Sequence, residues 1–199
     1  MEKVISIVGA GGKTTLVHKL AREYHRSGKG VLVTTTTHMY VEADTDLSCD
    51  FFALRDKIIK DGYCMAGQKI SEQKISEQSK PKMCGLPYDL LDKLIKGMPQ
   101  ALDYVIIEAD GAKHHSLKYP AADEPVIYPL TTDVIIVLGT WEKGKLCKDV
   151  VFRYELMQNE LGMAEDVVVD DSVIDTLRQV YVKKLRDSGF KGRISTYYR

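Results

Sequence analysis

Short runs of consecutive apolar residues recur along the chain, separated by longer segments of mixed polarity. Most neighbouring residues in these runs are both apolar, so the pattern indicates strands that are buried on both faces. Such strands are typical of a parallel sheet with helices on either side. The runs predicted to be strands are Val4–Val8, Val31–Val33, Tyr104–Ile107 and Val134–Leu138, with Val167–Val169 as a candidate fifth strand.

Two segments have the apolar spacing of an amphipathic helix. Thr14–Arg26 follows the first strand and is closed by Gly28 and Gly30, and the second helix is predicted at about Val173–Leu185. The order of strands and helices predicts an α/β protein with a mainly parallel sheet in three layers. The length of 199 residues suits one domain, 1–199. In such folds ligands bind beyond the carboxyl ends of the strands.

The composition of the chain limits the binding partners and the cellular compartment that we expect. Lysine and arginine together number 28, as do aspartate and glutamate, so no net charge attracts nucleic acid or an acidic membrane. No run approaches the roughly 20 apolar residues that span a bilayer, and no signal peptide is recognised. The four cysteines include no CxxC pair. We therefore expect a cytoplasmic protein that binds neither nucleic acid nor membrane.

A glycine-rich loop joins the first predicted strand to the first predicted helix. Glycines let the main chain turn its N–H groups toward phosphate oxygens, and the start of the helix adds partial positive charge. We predict a P-loop that binds the tail of a nucleoside triphosphate, in a P-loop NTPase-like fold. The residues assigned to it are Gly9, Ala10, Gly11, Gly12, Lys13, Thr14 and Thr15.

The loop is a shortened form of the usual motif. The pattern GxxxxGK[ST] needs glycine at position 7, where Ile7 stands. We predict that Lys13 neutralises the β- and γ-phosphates and that the Thr14 hydroxyl binds Mg²⁺. The alternative is a glycine turn that only connects the strand to the helix.

Two carboxylates follow the third predicted strand, as a nucleotide site with Mg²⁺ requires. Glu108 or Asp110 could bind the metal directly or through water, and the other could orient a nucleophile. Lys13, Glu108 and Asp110 are the catalytic candidates, and Thr14, Glu108 and Asp110 are the metal candidates. The alternative for Asp110 is a strand cap followed by a turn at Gly111.

A run of threonines follows the second predicted strand and is too polar for an ordinary core. Its hydroxyls could meet Mg²⁺, phosphate or a second substrate, and the adjacent histidine could be a ligand or an acid–base group. The alternative is a threonine-rich strand edge with a surface histidine. The candidates for a second-substrate or switch role are Thr34, Thr35, Thr36, Thr37, His38, Lys113 and Glu124.

The stretch from Cys64 to Cys84 differs in character from the rest of the chain. It contains the tandem KISEQKISEQ at Lys69–Gln78, and two copies of five residues are too few for a solenoid. We interpret about 64–85 as a hairpin or exposed excursion.

Several motifs, taken in order, resemble one family. The segments GAGGKTTL, VLVTTTTHM, IEADGAK, LKYPA and DEPVI are similar to those of the YqeC family, from about Val4 to Leu138. Members of that family are described as candidate accessory proteins of selenium-dependent molybdenum hydroxylases. The resemblance implies a P-loop nucleotide-binding protein in that setting. It carries over to Gly9–Thr15, Thr34–Met39, Glu108–Lys113, Lys118, Pro120 and Glu124-Pro125.

The leading functional hypothesis is a Mg²⁺-dependent nucleotide-binding protein, a slow NTPase that assists maturation of a molybdenum hydroxylase. One alternative is a kinase or nucleotidyl transferase acting on a small cofactor precursor. Another is a non-catalytic scaffold that nucleotide locks into a conformation recognised by a partner. No NKxD or TKxD motif reads guanine, so the base stays open between ATP and GTP, with ATP the default.

Overall fold

The computed structural model describes residues 3–70, 81–113 and 115–199. The strands in these residues are β1 (Lys3–Gly9), β2 (Val31–Thr35), β3 (His38–Tyr40), β4 (Tyr63–Met65), β5 (Gln68–Lys69), β6 (Lys82–Cys84), β7 (Tyr104–Glu108), β8 (Leu117–Lys118), β9 (Asp133–Leu138), β10 (Val151–Phe152) and β11 (Arg193–Tyr198). The α-helices are α1 (Lys13–Arg26), α2 (Phe51–Asp61), α3 (Tyr88–Gly97), α4 (Cys147–Val150), α5 (Tyr154–Leu161) and α6 (Asp171–Asp187), and Thr140–Glu142 forms a 3₁₀ turn.

Six of these strands form the central sheet in the order β11-β9-β1-β7-β2-β4. Every neighbouring pair in this sheet is parallel, which confirms the prediction of an α/β protein with a mainly parallel sheet. Because β1, β7 and β2 lie side by side, their carboxyl ends meet at one edge. That edge carries Gly9, Glu108 and Thr35, from three separate parts of the chain.

Helices cover both faces of the sheet, which explains why the strands are continuously apolar. Ile5 and Ile7 of β1 pack with α1 in one hydrophobic cluster, whereas Val4 and Val8 pack in a second cluster that includes residues of α2, α3 and α6. Successive residues of a strand point to opposite faces, so both must be apolar when both faces are covered. In the described part of the chain, no helix combines the length and apolar character needed to cross a membrane.

One predicted strand is wrong, and neither edge strand of the sheet, β4 or β11, was predicted as a strand. Val167–Val169 is no part of the sheet, and Val168 makes only an isolated antiparallel bridge with Leu146. The strand beside β9 is instead β11, which pairs with it from Arg193 to Tyr198. The residues of β11 are half-buried or exposed, as suits an edge strand, and therefore lack the continuous apolar pattern on which the prediction relied.

The predicted excursion at about 64–85 begins inside the central sheet. Cys64 and Met65 belong to β4 and are fully buried. Beyond them, β5 and β6 pair antiparallel and join β3 in a three-stranded sheet, so a hairpin pairing is present at the base of the excursion. Most of the KISEQ repeat lies outside the described residues.

Candidate functional site

The glycine loop lies at the carboxyl end of β1, between two neighbouring strands. Gly9, Gly11 and Gly12 have φ angles of 90°, 85° and 113°, in the left-handed region that glycine adopts readily. A Cβ on Gly11 would lie 2.5 Å from the carbonyl oxygen of Ser116, and one on Gly9 would clash with the carbonyl oxygen of Val137. Both the turn and the close approach of other main chain therefore require glycine.

The loop is followed by main-chain N–H groups that have no partner within the helix. The first hydrogen bond within α1 runs from the N–H of Leu16 to the carbonyl oxygen of Gly12, at 3.0 Å. The N–H groups of residues 13–15 therefore precede the helical ladder and have no acceptor within it. The N–H of Ala10 instead donates to Val137 O at 2.9 Å, so the donors concentrate at the helix end of the loop.

Lys13 begins α1 and folds back over the loop. Its Nζ donates to the carbonyl oxygen of Gly9 at 2.7 Å, and the residue is only 6% exposed. Burial lowers the pKa of the Lys13 amine, and the carboxylates of Glu108 and Asp110 oppose that shift. The amine thus lies over the turn that the glycines form.

Glu108 ends β7 and faces the start of α1. The Thr14 hydroxyl donates to Glu108 Oε2 at 2.8 Å, so a hydroxyl and a carboxylate oxygen meet beside the loop. Burial raises the pKa of Glu108, while Lys13 and the hydrogen bond from Thr14 act in the opposite direction. Oxygen atoms of this kind are the ligands that Mg²⁺ prefers.

Asp110 has different surroundings from Glu108, although only one residue separates them. It is almost fully buried and forms an ion pair with Lys118, which is itself 0% exposed. Its Oδ2 accepts hydrogen bonds from the Tyr181 hydroxyl at 2.8 Å and from the N–H of Gly9 at 3.3 Å. Asp110 therefore holds the start of the loop from behind, whereas Glu108 lies at its opening.

Glu124 extends this buried ion pair away from the loop. Its Oε2 lies 2.7 Å from Lys118 Nζ, and Arg153 Nη2 donates to its Oε1 at 3.1 Å. Lys118 also donates to the carbonyl oxygen of Gly111 at 2.6 Å. The structure thus brings Glu124 into one network with Asp110 and does not place it on the wall of the cavity described below.

Because of this network, the free energy of unfolding should fall as the pH is lowered. Burial opposes ionisation of Glu124, but hydrogen bonds from Arg153 and Lys118 outweigh it and lower the pKa from 4.5 to about 2. A carboxylate with a depressed pKa contributes stability above its unfolded pKa, and that contribution is lost as the pH falls through the folded pKa.

We expect the free energy of unfolding of the wild-type protein to fall more steeply than that of Glu124→Gln between pH 4.5 and about 2. The difference should be on the order of 2 kcal/mol. Urea unfolding at a series of pH values measures it, with the exposed Glu165→Gln as control. Parallel pH profiles for wild type and Glu124→Gln would contradict the assignment.

Three of the four threonines in the run Thr34–Thr37 form hydrogen bonds within the fold, and the fourth lines the cavity described below. Thr34 and Thr35 are buried, contrary to the expectation that the run is too polar for a core. Their hydroxyls are satisfied, because Thr34 accepts from Leu86 N–H at 3.3 Å and Thr35 donates to Glu108 O at 2.6 Å. Thr36 donates to Val126 O at 2.9 Å. The fourth member, Thr37, lies on the cavity wall.

A cavity of about 450 Å³ opens over the loop and reaches the three-stranded sheet. Among the described residues, its one lining carboxylate is Glu108. Cationic side chains and histidines supply most of its other charged or titratable groups. These are Lys13, His38, Lys82, Lys113, His115 and Arg199. The cavity is therefore suited to an anion bound beside a single carboxylate.

The predicted residues His38 and Lys113 both reach this cavity, but several other lining residues were not predicted. These residues are Tyr40 of β3, Lys82 of β6, Trp141 in the turn after β9, and Arg199 directly after β11. None belongs to a recognisable motif. The only available signal was position, because Tyr40 directly follows the predicted segment Thr34–Met39 and Trp141 lies shortly after β9.

The comparisons with known proteins agree with this sequence pattern. The family model described as YqeC protein matches residues 5–155. The uncharacterized protein YqeC of Escherichia coli (strain K12) is 31% identical over 175 residues, covering 83% of this chain and 63% of the relative. The chain thus spans less than two thirds of that relative's length. The family match includes the glycine loop, Glu108, Asp110, Lys118 and Glu124, and the chain belongs to the YqeC family.

Proposed function

We propose that this chain binds a nucleoside triphosphate together with Mg²⁺ in the cavity over Gly9–Thr15 and hydrolyses it slowly. The observation that carries the proposal is the meeting of Lys13, Thr14 and Glu108 at the end of β1. A lysine amine over a glycine turn, with a hydroxyl and a carboxylate beside it, matches what the charged tail of a nucleotide and its metal need.

The donors of the loop support binding of phosphate. The N–H groups of residues 13–15 belong to the first turn of α1, whose positive end lies beside the loop and begins with Lys13. Glycine at positions 9 and 11 permits the turn and the close packing of the loop against the main chain of Val137 and Ser116. Cationic side chains outnumber the single carboxylate around the cavity, which favours a ligand with several negative charges.

The residues beside the loop also fit Mg²⁺. The Thr14 hydroxyl and Glu108 carboxylate, 2.8 Å apart, would hold it. The metal would neutralise part of the negative charge of the β- and γ-phosphates. Lys13 would stabilise charge on the phosphates. Asp110, paired with Lys118, would fix the start of the loop through the Gly9 N–H rather than bind metal.

If Glu108 binds Mg²⁺, replacing it should reduce the gain in nucleotide affinity that Mg²⁺ gives. Wild-type protein should bind a fluorescent ATP or GTP analogue more tightly in Mg²⁺ than in EDTA. Glu108→Gln keeps an acceptor for Thr14 but removes the charge. The gain from Mg²⁺ should therefore shrink by roughly tenfold, about 1.4 kcal/mol. Titration of the analogue with and without Mg²⁺ measures this gain.

The matched control is Glu23→Gln, an exposed residue of the same helix as Thr14. It should retain the full gain from Mg²⁺. If Glu108→Gln retained it as well, the metal would be held elsewhere. If wild type bound neither analogue, nucleotide binding itself would be refuted.

A second candidate function is transfer of phosphate or nucleotide to a small cofactor precursor. The observation that favours it is the extension of the cavity beyond the loop to His38, Tyr40 and Lys82 on the three-stranded sheet. A second substrate could sit there beside the terminal phosphate. Incubation with ATP, Mg²⁺ and pterin-type molecules, followed by mass spectrometry, separates transfer from hydrolysis, because only transfer adds mass to the second molecule.

The biological setting that we propose is cytoplasmic maturation of a molybdenum hydroxylase, and it rests on the family resemblance. A non-catalytic scaffold is the remaining alternative for that setting. A hydroxylase subunit that is retained only with nucleotide, together with turnover no faster than buffer, would favour the scaffold. Measurable turnover would favour the slow NTPase.

A further inference from the structure

Arg199 lies directly against the glycine loop, although 187 positions separate it from Gly12 in the sequence. A Cβ on Gly12 would lie 2.6 Å from Arg199 Nη1 and 2.8 Å from its Cδ. The side chain also lines the cavity together with Lys13 and Glu108. The end of β11 thus delivers a guanidinium group to the opening of the loop.

The main chain of Arg199 is held firmly at this position. Its N–H donates to Leu138 O at 3.0 Å, continuing the parallel pairing of β11 with β9. Its main-chain oxygen accepts from Thr140 N–H at 2.7 Å and from the Thr140 hydroxyl at 2.6 Å. Since three hydrogen bonds fix the main chain, the reach of the guanidinium is set by the sheet rather than by a free loop.

The Arg199 guanidinium lies where it could bind an anionic ligand, and it has no carboxylate partner in the described part of the protein. Within residues 3–70, 81–113 and 115–199, no carboxylate side chain forms an ion pair with Arg199. Its guanidinium carbon lies 5.4 Å from the centre of the Trp141 ring, a contact that steadies a cation and leaves its N–H edge open. The N–H groups of arginine form a fork that matches phosphate oxygens.

We propose that Arg199 binds the terminal phosphate of the nucleoside triphosphate in the loop and so distinguishes triphosphate from diphosphate. This inference rests on the proposed nucleotide-binding function. Lys13 and the N–H groups of α1 surround the phosphates from the helix side. Arg199 approaches from the strand side, beyond Gly12. The two cations therefore enclose the tail of the nucleotide from different elements.

The test compares triphosphate and diphosphate binding in wild type and two variants. Fluorescent ATP and ADP, and the guanosine pair, are titrated in Mg²⁺ into wild type, Arg199→Ala and Arg199→Lys. Arg199→Ala should weaken triphosphate binding by roughly tenfold to hundredfold and leave diphosphate binding within about twofold. Arg199→Lys should recover only part of the loss, because lysine keeps the charge without the fork.

The matched control is Arg193→Ala, an exposed arginine at the opposite end of the same strand. It should bind both nucleotides as wild type does, and thermal unfolding of all variants reports whether β11 stays in the sheet. Equal triphosphate affinity in wild type and Arg199→Ala would overturn the proposal, as would equal losses for triphosphate and diphosphate. Tighter binding by Arg199→Ala would also overturn it, because the guanidinium would then obstruct the loop.

Lys13→Ala separates this inference from the function on which it rests. Loss of binding in Lys13→Ala with normal selectivity in Arg199→Ala would refute the role of Arg199 alone. Wild-type protein that bound no triphosphate would refute both.

Discussion

Replacing Lys118 with methionine should lower the free energy of unfolding by about 3–5 kcal/mol. The Lys118 amine has no exposed surface and pairs with both Asp110 and Glu124. Methionine fills a similar volume, so the main loss is electrostatic. The Asp110 carboxylate would remain buried, and its remaining donors among the described residues would be the Tyr181 hydroxyl and the Gly9 N–H. Urea unfolding at neutral pH measures the change.

An exposed ion pair provides the control for this prediction. Lys183 and Asp187 lie 2.7 Å apart on α6, with side chains that are 78% and 62% exposed. Lys183→Met should leave the free energy of unfolding nearly unchanged, because water solvates both charges when the pair is broken. If Lys118→Met changed the free energy of unfolding as little, the buried carboxylates would have to be stabilised by groups other than Lys118.

A double variant isolates the pair itself. Asp110→Asn combined with Lys118→Met removes both charges, so it should be less destabilised than the sum of the two single variants. Strict additivity would contradict direct coupling of Asp110 with Lys118. Because Asp110 also accepts from Gly9 N–H, the same variants should loosen the start of the glycine loop.

Replacing Lys13 with alanine should weaken binding of a nucleoside triphosphate by roughly tenfold to hundredfold, about 1.5–3 kcal/mol. The amine now donates to Gly9 O within the loop, and it would turn to the phosphates when they bind. Its neighbour Glu108 makes removal of the positive charge more costly, because the carboxylate would then face the phosphates without a nearby cation from α1. Titration with a labelled ATP or GTP analogue in Mg²⁺ measures the loss.

Lys19→Ala is the matched control, since Lys19 is an exposed residue on the same helix. It should bind as wild type does. Equal affinity in Lys13→Ala and wild type would remove the basis for a phosphate-binding loop, whatever the nucleotide is used for. Thermal unfolding of both variants confirms that any loss arises in the folded protein.

The strands around the site were predictable because their pattern is local. In β1, β2, β7 and β9, both faces are covered and most residues are apolar, and that pattern is visible within five or six residues of sequence. The edge strand β11 escaped prediction because it is half-buried, and Val167–Val169 was wrong because three apolar residues also suit a loop that packs on the core.

The site itself was predictable only in part. The turn at Gly9–Thr15 depends on adjacent glycines, and the start of α1 follows directly, so local sequence was enough. The different surroundings of Glu108 and Asp110 depend on Thr14, Lys118 and Tyr181. Thr14 is 94 positions from Glu108, and Tyr181 is 71 positions from Asp110. No local pattern encodes such pairings.

The amino-acid sequence by itself determined the parallel sheet, the glycine loop with its lysine and threonine, and membership of the YqeC family. These features depend on the order and spacing of neighbouring residues. Only the tertiary structure decided which carboxylate meets Thr14, which lies behind the loop, and that Arg199 lies against Gly12. The physical reason is that burial, ion pairing and the direction of a side chain depend on which distant segments the fold brings together.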